Sequence, residues 1–140
     1  MSKHIDLLLI NPPLTLKERY GKLAAGGDKM APLGLCHLAA VVRQAGFSVG
    51  IIDAEAQNFN LQVTVNKILA QSPRVVGITA VSASIYNAAT VAETVKKKDP
   101  GIYIVLGGQH VSAASGETIR RFPQFDFGII GEGGYYNGKR

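Results

Sequence analysis

Short apolar runs alternate with stretches of helical spacing along this chain, and that alternation constrains the fold more than any other feature. Ile5–Ile10 is an apolar run stopped by Asn11-Pro12-Pro13, and Leu14–Ala31 reads as a long polar loop carrying Gly21, Gly26 and Gly27. Pro32 suits a first helical turn, Leu35, Leu38, Val41, Val42 and Ala45 recur at helical spacing, and Gly46 is placed to end that helix. Phe47–Asp53 reads as a second strand. Leu61, Val65, Ile68 and Leu69 form a second helical stripe, stopped by Ser72-Pro73, and Val75–Thr79 is a third strand. Ala88–Lys98 is a third helix ended by Asp99-Pro100-Gly101, followed by a strand over Ile102–Leu106. A short helix over Ser115–Arg121 leads to a fifth strand, Phe125–Ile130, and then to Gly131-Glu132-Gly133.

Near-continuous apolar strands separated by helices require a parallel sheet covered on both faces. Right-handed crossovers narrow the arrangements, and the expected fold is three-layer α/β: a doubly wound, flavodoxin-like five-stranded sheet in the order 2-1-3-4-5. The 140 residues suffice for one such domain. A fifth helix is not legible after the fifth strand, because Gly134-Tyr135-Tyr136-Asn137-Gly138-Lys139-Arg140 is too short and too rich in glycine. The expected division is a domain over 1–133 and a disordered tail or non-native end over 134–140, in a piece of something longer.

Composition excludes several classes of function. Hydrophobic residues make up 46% and charged residues 18%, the balance of a folding chain. The apolar runs fall far short of the ~20 residues that span a bilayer. The first residues lack the layout of a signal peptide, so a cytoplasmic location is expected. The net charge of +5 includes Lys96-Lys97-Lys98 at a helix end and Lys139-Arg140, with no basic stripe interleaved with aromatics. Nucleic-acid binding is not expected. The single cysteine, Cys36, rules out an internal disulfide and an intrachain cluster with three cysteine ligands. Among Leu35, Leu38 and Ala39 it is expected to be a buried small hydrophobe, and His37 is expected to pack in the same helix.

Ligands of an open parallel sheet bind beyond the carboxyl ends of its strands. The residues placed there are Asn11 and Pro12 after strand 1, Thr79, Val81 and Ser82 after strand 3, Gly107, Gly108 and His110 after strand 4, and Gly131 and Glu132 after strand 5. Hydroxyls, glycines, one imidazole and one carboxylate converge on one edge, where glycine lets a ligand approach the backbone. The Gly-x-x-x-x-Gly-Lys-Ser/Thr and Gly-x-Gly-x-x-Gly cradles are missing, so Asp53 at the end of strand 2 does not mark a dinucleotide site. His4 falls at the opposite edge, and His110 has no neighbouring histidine or cysteine with which to build a metal site.

Asn11-Pro12-Pro13, Pro32-Leu33-Gly34-Leu35, Leu38–Gly46, Ile52-Asp53-Ala54, Val76-Gly77-Ile78-Thr79, Leu106-Gly107-Gly108-Gln109-His110 and Ile130-Gly131-Glu132-Gly133 stand in that order. Together they resemble the N-terminal cobalamin-binding domain of B12-dependent radical SAM proteins, a group that includes methyltransferases and proteins similar to the anaerobic magnesium-protoporphyrin monomethyl ester cyclase. The resemblance implies a corrinoid against the carboxyl edge, its nucleotide tail beside strands 1, 3 and 4. Thr79 and Ser82 would hydrogen-bond the tail or the corrin amides, and Gly107 and Gly108 would leave it space. His110, Gly131 and Glu132 would border the ring or ribose. It also implies a C-terminal radical SAM domain as partner, carrying the iron–sulfur cluster and S-adenosylmethionine, and no catalytic or metal-ligating residue in this domain.

The chain departs from related patterns at two places. B12 mutases carry Asp-x-His-x-x-Gly after strand 1, whereas Leu14–Ala31 contains no histidine, so a protein ligand to cobalt is not expected there. Gly134 stands where the family has a second glutamate. Two alternatives remain open: the same fold without cofactor as a scaffold, and a small-molecule enzyme using His110 and Glu132 as acid and base.

Overall fold

The computed structural model describes residues 4–15, 17, 18, 21, 32–108 and 115–129. His110, Gly131, Glu132, the Tyr135-Tyr136 pair and the rest of the 134–140 tail lie outside them, as does most of the segment 14–31. The elements run β1 (Ile5–Asn11), α1 (Leu33–Gln44), β2 (Val49–Asp53), α2 (Leu61–Ala70), β3 (Pro73–Thr79), α3 (Ile85–Lys98), β4 (Tyr103–Gly107), α4 (Ser115–Arg121) and β5 (Phe127–Gly128). All strands pair in parallel, in the order β2-β1-β3-β4-β5, so the expected topology is the observed one.

The period-two alternation of the strands divides the core. Leu8 and Ile10 of β1, Val76 and Ile78 of β3, and Ile104 and Leu106 of β4 point to one face, where Val65 and Ile68 of α2 and Val91, Ala92 and Val95 of α3 bury them completely. Ile119 of α4 packs on the same cluster. The opposite face has a smaller cluster in which Leu35 and Ala39 of α1 cover Leu9, flanked by Leu7, Leu38 and Val49. Handedness explains this split: the β1-to-β2 step runs opposite to the steps that reach β3, β4 and β5, so its helix lies on the opposite face.

Several boundaries differ from the sequence reading, each for a local reason. β3 begins at Pro73 rather than Val75, because proline is tolerated as the first residue of a strand. α3 starts a turn earlier, at Ile85, whose side chain is buried on the stripe of Ala88, Ala89 and Ala92. α1 ends as its sequence implies, but with Ala45 as C-cap and Gly46 one step beyond at φ +95°. The Gly46 N–H donates to the Arg43 carbonyl and the Phe47 N–H to that of Val42. β5 shrinks to two residues because Phe125 turns into the core and Asp126 substitutes its side chain for part of the ladder, accepting from the Ile104 N–H at 2.7 Å.

Two expectations about α1 are corrected. Cys36 and His37 are exposed rather than packed. The inward stripe runs through Leu35, Leu38, Ala39 and Val42, and positions 36 and 37 rotate away from it onto an outer face that nothing among the described residues covers.

Asp126 also holds α3 to the sheet edge through Lys96, whose Nζ lies 2.7 Å from its Oδ2. Partial burial raises the Asp126 pKa, but the Lys96 ammonium and the Ile104 N–H outweigh it, so the carboxyl titrates below its ordinary 3.8. A depressed carboxylate contributes stability that is present above the unfolded-state value and is lost as pH falls through the folded-state value. Asp126→Asn should therefore destabilise the domain at neutral pH, and the difference from the parent should shrink as pH falls below the ordinary carboxylate range. Urea denaturation of both chains across that range measures it.

Candidate functional site

The carboxyl ends of the five strands form one edge, and the register fixes who meets whom. Asn11 pairs with Asp53, and Thr79 pairs with Gly107. Asn11 itself lies one residue beyond the Ile10–Ile78 pair. The edge therefore reads Asp53, Asn11, Thr79, Gly107 across four strands.

The Asp53 end is internally committed. Asn11 Nδ2 donates to Asp53 Oδ1 at 2.9 Å and, more weakly, to Glu55 Oε1 at 3.4 Å, while the Ala56 N–H donates to the same Asp53 oxygen. Asn11 and Asp53 thus tie β1 to the turn that follows β2, and Pro12 is buried beside them. The start of the long segment after β1 is pinned as well. The Thr15 hydroxyl accepts from the Glu18 N–H at 3.0 Å and the Glu18 carboxylate accepts from the Thr15 N–H at 2.7 Å, a capping box. Asn87 of α3 donates to the Pro13 carbonyl at 2.8 Å. The Thr15-x-x-Glu18 spacing carries this signal at the start of the polar segment Leu14–Ala31.

The Thr79 end is different, and its glycines separate by what their missing side chains make room for. A Cβ on Gly77 would lie 2.9 Å from Leu9 Cδ2, so the Leu9 side chain fills that space. Gly108 sits at φ +99°, and a Cβ there would lie 2.7 Å from the Ala80 carbonyl oxygen and from Thr79 Oγ1. Its lack of a side chain serves the close approach of two chain segments rather than a ligand. Gly107 alone of the three opens outward: no described atom lies within 4 Å of where its Cβ would be. The Gly107 carbonyl accepts from the Ala80 N–H, which closes the β3–β4 ladder immediately below that opening.

The remaining expected residues after β3 point elsewhere. The Val81 N–H donates to Ser84 Oγ in a turn that precedes α3. Ser82 is exposed and lines a small cleft of about 180 Å³ with Tyr86, Glu117 and Arg121, on the α3–α4 side. Ser82 is therefore not gathered with Thr79 and Gly107. A second cleft, of about 400 Å³, also lies on the other side of the sheet, between the starts of α2 and α3, and includes Pro13, Leu14 and Asn87. None of the expected binding residues lines it.

Chemically, the Thr79–Gly107 end offers a hydroxyl, backbone groups and an open glycine, flanked by apolar side chains. Its described residues include no cation, so they offer no charged cradle for a phosphate. No group of three or more His, Cys, Asp or Glu residues suited to a metal occurs among the described residues. No helix among them is long and apolar enough to cross a membrane.

The chain is similar to several known proteins. A family profile described as the B12 binding domain matches residues 23–136. An uncharacterized methyltransferase of Pyrococcus horikoshii is 34% identical over 133 residues, covering 94% of this chain and 28% of that protein. The anaerobic magnesium-protoporphyrin IX monomethyl ester cyclase of Rubrivivax gelatinosus is 29% identical over 114 residues, covering 78% of this chain and 20% of the cyclase. The chain therefore spans less than a third of these curated relatives. Among solved structures, the radical S-adenosylmethionine methyltransferase TsrM of Kitasatospora setae superposes with a TM-score of 0.66 at 18% identity, over 87% of this chain and 22% of that one. A CheY-like protein of Pseudomonas aeruginosa superposes at 0.58 with 12% identity, over 89% of this chain and 86% of that one. At those identities the superpositions establish the fold, the open five-stranded parallel sheet.

Proposed function

This chain belongs to the B12-binding domain family, and from that premise we propose that it is the corrinoid-holding module of a larger B12-dependent radical SAM protein of the methyltransferase or oxidative-cyclase type. The observation that carries the reading is the open space above Gly107, in register with Thr79 at the carboxyl edge. A bulky tail requires a gap in the side-chain layer and hydrogen-bonding groups beside it, and this edge supplies both. Thr79 would bond the tail or a corrin amide, and Gly107 would let the tail reach the backbone. Gly108 would act by keeping the β4 exit against Ala80. Asn11 would hold the β1 exit through Asp53, and Pro12 would stiffen it. Val81 and Ser82 would contribute from the turn before α3, and His110, Gly131 and Glu132 from outside the described residues.

Bound cobalamin supplies organometallic cobalt chemistry, and this chain's part is to bind and orient it. With no histidine in Leu14–Ala31, that segment supplies no imidazole to the cobalt. The iron–sulfur cluster and S-adenosylmethionine would belong to a C-terminal partner domain of the same polypeptide, whose substrate that domain would select.

Titration with hydroxocobalamin tests the reading. A saturable change in the visible spectrum with matching heat is expected, with half-saturation at or below ~10 µM, a loose affinity for such a cofactor. No change in spectrum or heat far above that concentration would instead favour the same fold serving as a scaffold without cofactor.

A further inference from the structure

We propose that the cleft between the starts of α2 and α3 is a second binding site, which takes a small organic cation: a primary ammonium carried on an apolar body about the size of one aromatic ring. The site lies apart from the edge residues given to the corrinoid and does not depend on that reading. Its volume of about 400 Å³ falls toward the lower end of small-molecule sites, which run from about 300 to 1,000 Å³. Its floor is apolar and made by the core. Leu14 is buried there, and Phe59 and Leu61 are partly buried against the α2–α3 cluster.

The polar wall selects the head group, because its side-chain donors are spent and its acceptors are not. Asn87 and Thr90 stand about one turn apart on one side of α3. Asn87 Nδ2 donates to the Pro13 carbonyl at 2.8 Å, a group that can only accept, so the amide orientation is fixed and Oδ1 is left as an acceptor. The Thr90 hydroxyl gives its one proton to the Tyr86 carbonyl at 2.9 Å and keeps its lone pairs. Glu18 is held through one oxygen: Oε2 accepts from the Thr15 N–H at 2.7 Å and lies 3.5 Å from Asn87 Nδ2. No described residue donates to its Oε1.

Charge points the same way. Glu18 is the one ionisable residue among those lining the cleft, and it is an acid. The start of α2 also borders the cleft, but Asn60 closes that turn by accepting from the Val63 N–H at 2.8 Å. An ammonium has donors and no acceptor, so it matches the Glu18, Asn87 and Thr90 oxygens. A carboxylate or phosphate would meet Glu18 with like charge and find no side-chain cation to offset it.

Phenethylammonium chloride, titrated into the isotopically labelled chain without cobalamin, provides the test. Backbone amide shifts should saturate at Glu18, Leu61, Asn87 and Thr90, with half-saturation at about 1 mM, and leave Thr79, Gly107 and Gly108 in place. Phenethyl alcohol and phenylacetate carry the same ring with a neutral and an anionic head, and should bind about fivefold more weakly or worse. Glu18→Gln should weaken phenethylammonium binding by about fivefold, the effect of one solvent-screened ion pair. Glutamine still accepts from the Thr15 N–H, so the capping box and the local fold persist in that variant. Equal binding of either control compound would overturn the proposal, as would undiminished affinity in Glu18→Gln or no saturable shift at these residues far above 1 mM. Because cobalamin is absent and the two sites share no residue, either one can fail without the other.

Discussion

Gly107→Leu is expected to weaken hydroxocobalamin binding by about a hundredfold or more, equivalent to about 2.7 kcal/mol, with little change in the urea midpoint. The asymmetry follows from the site's geometry. Position 107 ends β4, its backbone takes no left-handed conformation, and a Cβ there meets no described atom within 4 Å apart from its chain neighbours. The leucine would occupy the gap the tail needs, so the cost falls on the complex rather than on the fold. Equal affinity in the variant would remove Gly107 from the site. A matching loss of stability would make the effect structural.

Gly108→Val should do the reverse. At φ +99° a β-branched side chain is strained by about 1–3 kcal/mol. Its Cβ would also press on the Ala80 backbone and Thr79 Oγ1 at 2.7 Å, and overpacking of this kind costs about 1–3 kcal/mol more. Together these amount to about 2–6 kcal/mol out of a domain's usual ~5–15 kcal/mol. Urea denaturation should show the loss with no cobalamin present, and Gly108→Ala should show a smaller one. Unaltered stability in Gly108→Val would mean that β4 leaves the sheet by another path. Adjacent glycines, alike in sequence, would thus separate into one that leaves room for the ligand and one that serves the chain.

That separation marks where the sequence stops being informative. Alternating apolar runs suffice for the parallel sheet and its 2-1-3-4-5 order, because the period of two and the handedness of crossovers leave few alternatives. Asn11, Thr79 and Gly107 were legible as edge residues for the same reason: each closes a strand. Burial on α1 was not legible, since Cys36 and His37 sit among apolar neighbours in sequence yet rotate to the outer face of a helix that covers only two strands. The roles of Gly77 and Gly108 depend on Leu9 and Ala80, residues 68 and 28 positions away in the chain. Only a folded register brings them together. The capping box at Thr15 and Glu18 is present in the spacing, but the polar composition of the segment around it reads as loop.

The central claim is that a corrinoid sits on the carboxyl edge at Thr79 and Gly107, and backbone amide chemical shifts test it most directly. Adding hydroxocobalamin to the isotopically labelled chain should displace the resonances of Asn11, Thr79, Gly107 and Gly108, and leave those of His4, Ser72 and Gly101 at the amino edge in place. Shifts confined to the amino edge, or none at saturating cofactor, would contradict it.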